Sequence, residues 1–229
     1  MTGSLADQLA AFLTPANAAF LLGALGRTLL MTVIGCGLGF VFGMVLAVLR
    51  RSETPWLAPL RFAALLLVET FRRLPFLVIL ILVLFGTQLL APELSLLGIA
   101  TVAVTLAATA YLSEIIRAGL ESVPRAQVEG AAALNLGSWD IYWRVVLPQS
   151  WRVILPPAAA FMIMFIKDTS LASHLGVVEL TFSGKIFINR GFSPVLGFGA
   201  VLLLYYALSA LLARMAARLE TYLAPSRNP

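Results

Sequence analysis

No charged residue occurs between Thr28 and Leu49, and apolar stretches of the same kind recur along the chain. About 20 such residues let an α-helix cross the hydrocarbon layer of a bilayer. There every backbone N–H and C=O must find its partner inside the segment, which a helix provides. One soluble core has no need of several such runs. Composition agrees, with 60% of the 229 residues hydrophobic and 12% charged, against roughly a quarter charged in soluble domains. The expected fold is all-α: an integral membrane helical bundle of about five transmembrane helices, forming a single domain over residues 1–229.

The charges set the expected topology, because Lys and Arg collect on the cytoplasmic side of short loops. The first span, Thr28 to Leu49, closes on Arg50 and Arg51, which places the N-terminus outside. Met1 to Ala19 has no basic leader region and carries Asp7, so this span reads as retained. Thr54 to Val68, with Arg61 and two prolines, is expected at the cytoplasmic interface or as a tilted lead into the second span, Leu74 to Leu90. A third span, Leu94 to Ser113, returns to a cytoplasmic stretch bearing Arg117, Arg125, Arg144 and Arg152. The fourth runs from Val153 to Ile166 with Pro156 and Pro157 near its start, where a missing amide donor costs least. Residues 167–190 are mixed enough to dip back into the membrane beside protein or water. The fifth span, Gly191 to Ala213, ends on Arg214 and Arg218, so the C-terminus is inside.

Other function classes find little support. The net charge of +5 comes from 16 scattered Lys and Arg residues with no basic run, which argues against a nucleic-acid partner. Cys36, the only cysteine, lies in an apolar span and leaves neither an internal disulfide nor a thiolate metal site. No His-Glu-xx-His, Gly-x-Ser-x-Gly or phosphate loop occurs, and Gly184-Lys185 lacks both the upstream glycine and the following Ser or Thr. No catalytic residue, metal or cofactor is expected. Five spans enclose only part of a solute path, so a dimer is inferred. Gly35, Gly39 and Gly43 form a small-residue stripe on one face of the first span, which suits close packing either on a second subunit or within the same one.

The segment from Glu121 to Pro148 interrupts the apolar pattern. Pro124 suits a first helical turn, and Arg125 to Leu134 is Ala-rich and helix-favouring. Asn135 tolerates the left-handed conformation that ends helices. Ser138 can cap a second helix with Asp140 in its first turn, and Pro148 disfavours continuation at Leu147. The expectation is helix, turn, helix, break. An exposed helix with so little side-chain bulk lets a partner approach its backbone; the alternative is an ordinary loop helix lying on its own protein.

This segment resembles the EAA loop of ABC-importer permeases, in which Glu-Ala-Ala is followed at fixed spacing by Gly, Ile and Leu-Pro. Glu129, Gly130 and Ala131 fall on the first three positions, Asn135 on the glycine, Val145 on the isoleucine and Leu147-Pro148 on the end. Glu69, Arg72 and Pro75 resemble the family's Glu-xx-Arg-Gly-Thr-Pro element, and Tyr111, Glu114, Arg117, Pro124, Gln127, Leu147-Pro148-Gln149 and Lys167-Asp168-Thr169-Ser170-Leu171 resemble its polar amino-acid branch, which takes His, Glu, Gln, Arg or opines. Gly130 and Asn135 depart from the usual Ala and Gly without removing the loop's helix-turn logic, and Arg73 and Leu74 stand where Gly and Thr are usual in the Glu-xx-Arg-Gly-Thr-Pro element. The resemblance implies a permease subunit in a bacterial cytoplasmic (inner) membrane, forming half of the translocation path beside a second, identical or homologous permease. Its other partners would be cytoplasmic ATPase subunits, which bind the ATP, and an extracytoplasmic solute-binding protein. The coupling loop would lie at about 118–148, with Gln127, Glu129, Gly130, Ala131, Ala132, Asn135 and Gly137 contacting the ATPase.

Lys167, Asp168, Thr169 and Ser170 follow the fourth span directly, where ionisable groups are costly. Either the pair neutralises itself at the membrane boundary, or the stretch, with Glu179, borders the solute path. His174 suits a structural or interfacial role better than a proton relay, since no second titratable group stands at helical spacing. Glu69 can pair with Arg72 or Arg73 one turn on. An ion-coupled secondary transporter is the rival reading, but it should carry paired repeats or several carboxylates within its spans.

Overall fold

The computed structural model describes residues 5–52 and 54–223; residues 1–4, 53 and 224–229, which include both ends of the expected domain, lie outside the described residues. A short helix α1 (Leu5–Phe12) precedes α2 (Pro15–Arg51), whose start is fixed by Pro15 in the first turn and by Thr14, whose hydroxyl accepts from the Asn17 amide. At 37 residues, α2 is about 55 Å long and overshoots the hydrocarbon layer. After a 3-10 turn (Pro55–Leu57) come α3 (Ala58–Arg73) and α4 (Phe76–Leu90), which meet at 119° across Leu74-Pro75. The Leu74 backbone is extended ahead of the proline, as the ring requires. Thr54 to Val68 is thus a tilted arm leading into the next span.

Next comes α5 (Leu96–Glu121), the centre of the bundle, which packs against α2, α3, α4 and the later helix α8 (Leu147–Asp168) and is buried on nearly every side. Its small residues allow this. Gly35, Gly39 and Gly43 of α2 rest on Val104, Ala108 and Ser113 of α5 so closely that a Cβ on Gly39 would stand 2.5 Å from the Ala108 Cβ. The glycine stripe therefore serves the fold of one subunit, and the dimer loses that argument. Gly119 makes the corresponding crossing with Ile154 of α8.

Beyond α6 (Arg125–Ala133) and α7 (Ser138–Ile141), a π-helical turn (Tyr142–Val146) runs directly into α8 (Leu147–Asp168). The expected break at Pro148 does not occur. In the π turn the Leu147 amide donates to the Tyr142 carbonyl, which shifts the hydrogen-bond register. Pro148 then falls in the first turn of the α-helix that follows, where no donor is required. Because α8 starts at Leu147 rather than Val153, Pro156 and Pro157 lie inside the helix and not at its start. Arg152 misled the boundary: it sits within α8 as an exposed residue.

A 3-10 stretch (Thr169–Leu175) ends on Gly176, whose φ of +87° needs a glycine. It leads to α9 (Leu180–Asn189) and α10 (Pro194–Leu223). Phe12, Leu21, Leu180, Phe187 and Val201 form a second apolar cluster that ties α1 and α2 to α9 and α10. Among the described residues, four helical segments are long and apolar enough to cross a membrane, or five with the bent α3–α4 pair counted as one span.

Candidate functional site

The Ala-rich helix α6 leaves most of its surface bare. Only Ala131 is buried, with Val128 half-buried one turn before it, while Arg125, Ala126, Gln127, Glu129, Gly130, Ala132 and Ala133 are exposed. Asn135 adopts φ 60°, and the turn closes with Asn135 N donating to Ala132 O (2.9 Å) and Leu136 N to Ala131 O (3.3 Å). This is the Schellman pattern, and Asn is the residue after Gly that best tolerates it. Of the residues expected at the coupling surface, Gln127, Glu129, Gly130, Ala132, Asn135 and Gly137 are exposed and Ala131 turns inward as the anchor. Ser138 is not the cap of α7: Gly137 occupies that position with extended backbone, and Ser138 is the first helical residue. Sequence reasoning overlooked Leu134 and Trp139, 78% and 71% exposed, which extend the bare face with apolar area. Their signal was apolar residues inside a polar interruption.

Beneath α6, the ends of α2, α3 and α5 are joined by charge. Glu114 receives Arg50, Arg117 at 2.9 Å and Arg72 at 3.5 Å, and is 16% exposed. Glu69 binds Arg73 at 2.7 Å and Arg72 at 3.7 Å, so both pairings foreseen for it form together. Glu121 holds Arg117 from the far side at 2.6 Å. Tyr111 donates its hydroxyl to the Arg72 carbonyl (3.0 Å), which ties the bend between α3 and α4 to α5.

The bend opens on a cavity of about 150 Å³, lined by Pro75 and Phe76, by Tyr111 of α5 and by Phe161, Phe165 and Asp168 of α8. Asp168 is the one carboxylate among its described lining residues, and the Arg72 Nε, three residues before the bend, is buried without a hydrogen-bond partner among the described residues. The four consecutive polar residues divide their roles. Lys167 is exposed, Asp168 reaches the cavity, Ser170 is half-buried, and Thr169 is fully buried with its hydroxyl donating to Ile166 O (2.7 Å). Sequence reasoning had no means of finding the aromatic lining, since Phe161 and Phe165 read like any other core residues of a span.

Glu179 does not reach this cavity. It is fully buried as the N-cap of α9, accepting from the Thr181 and Phe182 amides at 2.8 and 2.7 Å and from the Tyr205 hydroxyl at 3.0 Å. A carboxylate with its oxygens so engaged fixes the junction of α9 and α10. His174 is exposed, with Nδ1 3.1 Å from the Leu171 carbonyl in its own turn.

Comparison with known proteins follows the same lines. The family model described as "Binding-protein-dependent transport system inner membrane component" matches residues 39–222. A probable amino-acid ABC transporter permease protein of Bacillus subtilis, YckA, is 34% identical over 194 residues, covering 85% of this chain and 84% of that protein. The octopine transport system permease protein OccM of Rhizobium radiobacter is 33% identical over 218 residues, covering 91% and 87%. Among solved structures, an amino acid ABC transporter crystallised with histidines superposes with a TM-score of 0.84 at 22% identity, covering 97% of this chain and 100% of the other. An inward-facing methionine ABC transporter, MetNI, gives 0.80 at 21% identity, covering 93% and 100%.

Proposed function

The chain belongs to the family of binding-protein-dependent transport system inner membrane components, the permease subunits of ABC importers, and from that premise we propose that it moves a polar amino acid or an opine-like solute past Asp168 while α6 transmits the power stroke of an ATPase. It is a multi-pass membrane component and not the ATPase, and its family works with an ATPase, a second permease and a binding protein. The ion-coupled carrier reading falls with the family assignment.

The observation that carries the coupling reading is the bare face of α6. A helix that exposes Gln127, Glu129, Gly130 and Ala132 while anchored by Ala131 and Val128 is shaped to be covered. In the full assembly it seats in a cleft of the ATPase, and closure of the ATPase pair around nucleotide favours one arrangement of the bundle over the other through differential binding. Glu129 has no ion-pair partner among the described residues and supplies the polar contact at this joint. Glu129→Ala is expected to lower solute-stimulated ATP hydrolysis about tenfold, the value of one charge-assisted hydrogen bond. Unchanged assembly together with unchanged stimulated hydrolysis sinks the assignment.

On the topology, the ends of α2, α3, α5 and α10 that carry Arg50, Arg51, Arg72, Arg73, Arg117, Arg214 and Arg218 lie on the cytoplasmic side. That puts the N-terminus outside and the C-terminus inside.

For the path, the relatives transport amino acids and octopine, by their names, and a carboxylate in an aromatic-lined cavity suits the ammonium group of such a solute. Lys167 and Ser170 stand next in line, exposed and half-buried respectively. Thr169 and Glu179 support the frame. Asp168→Asn is expected to reduce transport at least tenfold with stimulated ATP hydrolysis retained, whereas Lys167→Ala has the smaller effect. Wild-type transport rates and selectivity in the Asp168 variant count against a path through this cavity.

A further inference from the structure

A cavity of about 1030 Å³ opens between the end of α2, the outer side of α3, the end of α5 and the flank of α6 that carries Arg125, Val128 and Glu129. Its polar wall carries Arg50, Arg51, Arg61, Arg117 and Arg125, and its apolar wall includes Phe62 and Leu65 of α3. Two of the arginines are neutralised: Arg50 and Arg117 both bind Glu114, and Arg117 binds Glu121 as well. The others are not. Arg61 donates to the Ser52 carbonyl, which leaves its charge uncompensated, and among the described residues neither Arg51 nor Arg125 has a carboxylate partner. Among the described lining residues, three cations stand against the single unpaired carboxylate of Glu129, a surplus that favours an anion.

The apolar wall and its depth identify the kind of anion. Phe62 and Leu65 are large exposed hydrophobes on an arm whose inward side holds only Ala64 and Val68 buried. Trp56, 77% exposed in the turn leading into α3, marks the level of the membrane interface, where tryptophan collects. A guanidinium cluster beside an apolar slope at that level fits a phosphodiester with acyl chains attached, whereas a free anion gains nothing from the slope.

We propose that this cavity holds the headgroup of an anionic phospholipid, its phosphate between Arg51, Arg61 and Arg125 and an acyl chain along Phe62 and Leu65. The proposal rests on the membrane-permease reading and adds a lipid as a resident of the coupling joint, because Arg125 and Glu129 line the cavity from α6 itself.

The test is native mass spectrometry of the complete transporter, permease with ATPase, released from nanodiscs of phosphatidylcholine with or without phosphatidylglycerol. Wild type is expected to retain phosphatidylglycerol selectively. The double variant Arg51→Gln/Arg61→Gln should retain about tenfold less, since each basic residue near an anionic surface contributes appreciably to lipid attraction. Arg51→Lys/Arg61→Lys keeps the charge and should keep the lipid. Arg214→Gln/Arg218→Gln removes two charges outside the cavity and should change nothing. Equal retention in the glutamine pair and wild type overturns the proposal, as does equal loss in the Arg214/Arg218 pair. Displacement by millimolar inorganic phosphate makes the site one for a free anion and overturns the lipid assignment. If the glutamine pair fails to assemble, Arg125→Gln on exposed α6 gives the same reading with the fold intact. Loss of the ATPase from the complex registers separately in the same spectra and bears on the coupling assignment instead.

Discussion

Gly39→Leu is expected to abolish accumulation of folded permease, while Gly37→Leu, two residues away on the same helix, leaves it at wild-type level. A Cβ on Gly39 would lie 2.5 Å from the Ala108 Cβ and 3.0 Å from the α5 backbone, and one on Gly43 would lie 2.9 Å from the Ser113 amide nitrogen. Backbone cannot swing aside as a side-chain tip can, so α2 and α5, the most extensively packed pair of helices among the described residues, must part. Overpacking with even one methylene costs about 1–3 kcal/mol, whereas the gain from replacing a helical glycine is at most about 1 kcal/mol. Clash therefore decides the sign for Gly39→Ala, and for leucine the cost exceeds about 4 kcal/mol, a large part of a typical domain's stability. Gly37 is exposed with nothing within 4 Å of an added Cβ, and there the helix-propensity gain stands alone. Yield and melting temperature of the detergent-solubilised transporter separate the two. Similar behaviour of both variants would mean that α2 and α5 do not pack through this stripe.

What could be read from the residues follows from which interactions are local. The apolar spans, the short α6 and the left-handed turn at Asn135 were legible, because lipid thickness, helix propensity and turn chemistry act within a few neighbouring residues. The glycine stripe was visible but its partner was not: Gly35, Gly39 and Gly43 describe one surface, and only their seating on Val104, Ala108 and Ser113 of α5 reveals that the match is internal. Pro148 deceived for a different reason. Its local effect is to stop a helix, and the π turn that accommodates it is set by the packing of Ile141, Val146 and Leu147 into the core. Glu179 looked available because a carboxylate between spans is costly, yet two backbone amides and the distant Tyr205 hydroxyl satisfy it. The cavity at Asp168 could not be foreseen, since it depends on a 119° bend bringing Phe76 against Tyr111 and Phe165.

The largest functional effect is expected from Gly130→Trp, which should leave the permease folded and inserted but stop transport. Gly130 is exposed on α6 with nothing within 4 Å of an added Cβ, so a side chain can leave the helix here into open space. Stability should even rise slightly, because glycine inside a helix costs about 0.5–1 kcal/mol relative to a residue with a side chain. A groove that approaches the helix backbone closely has no such room. Expelling α6 from it forfeits the contacts of Gln127, Glu129 and Ala132 at once, and a loss of about 3 kcal/mol already weakens association roughly a hundredfold. Gly130→Ala separates bulk from flexibility: one methyl restores helix propensity without filling a groove and should transport normally. Co-purification of the ATPase with each variant, followed by solute uptake in vesicles, gives both readings. If the tryptophan variant keeps its ATPase and transports, α6 is an ordinary loop helix, and the bare face formed by Gln127, Glu129, Gly130 and Ala132 is not where power enters the membrane.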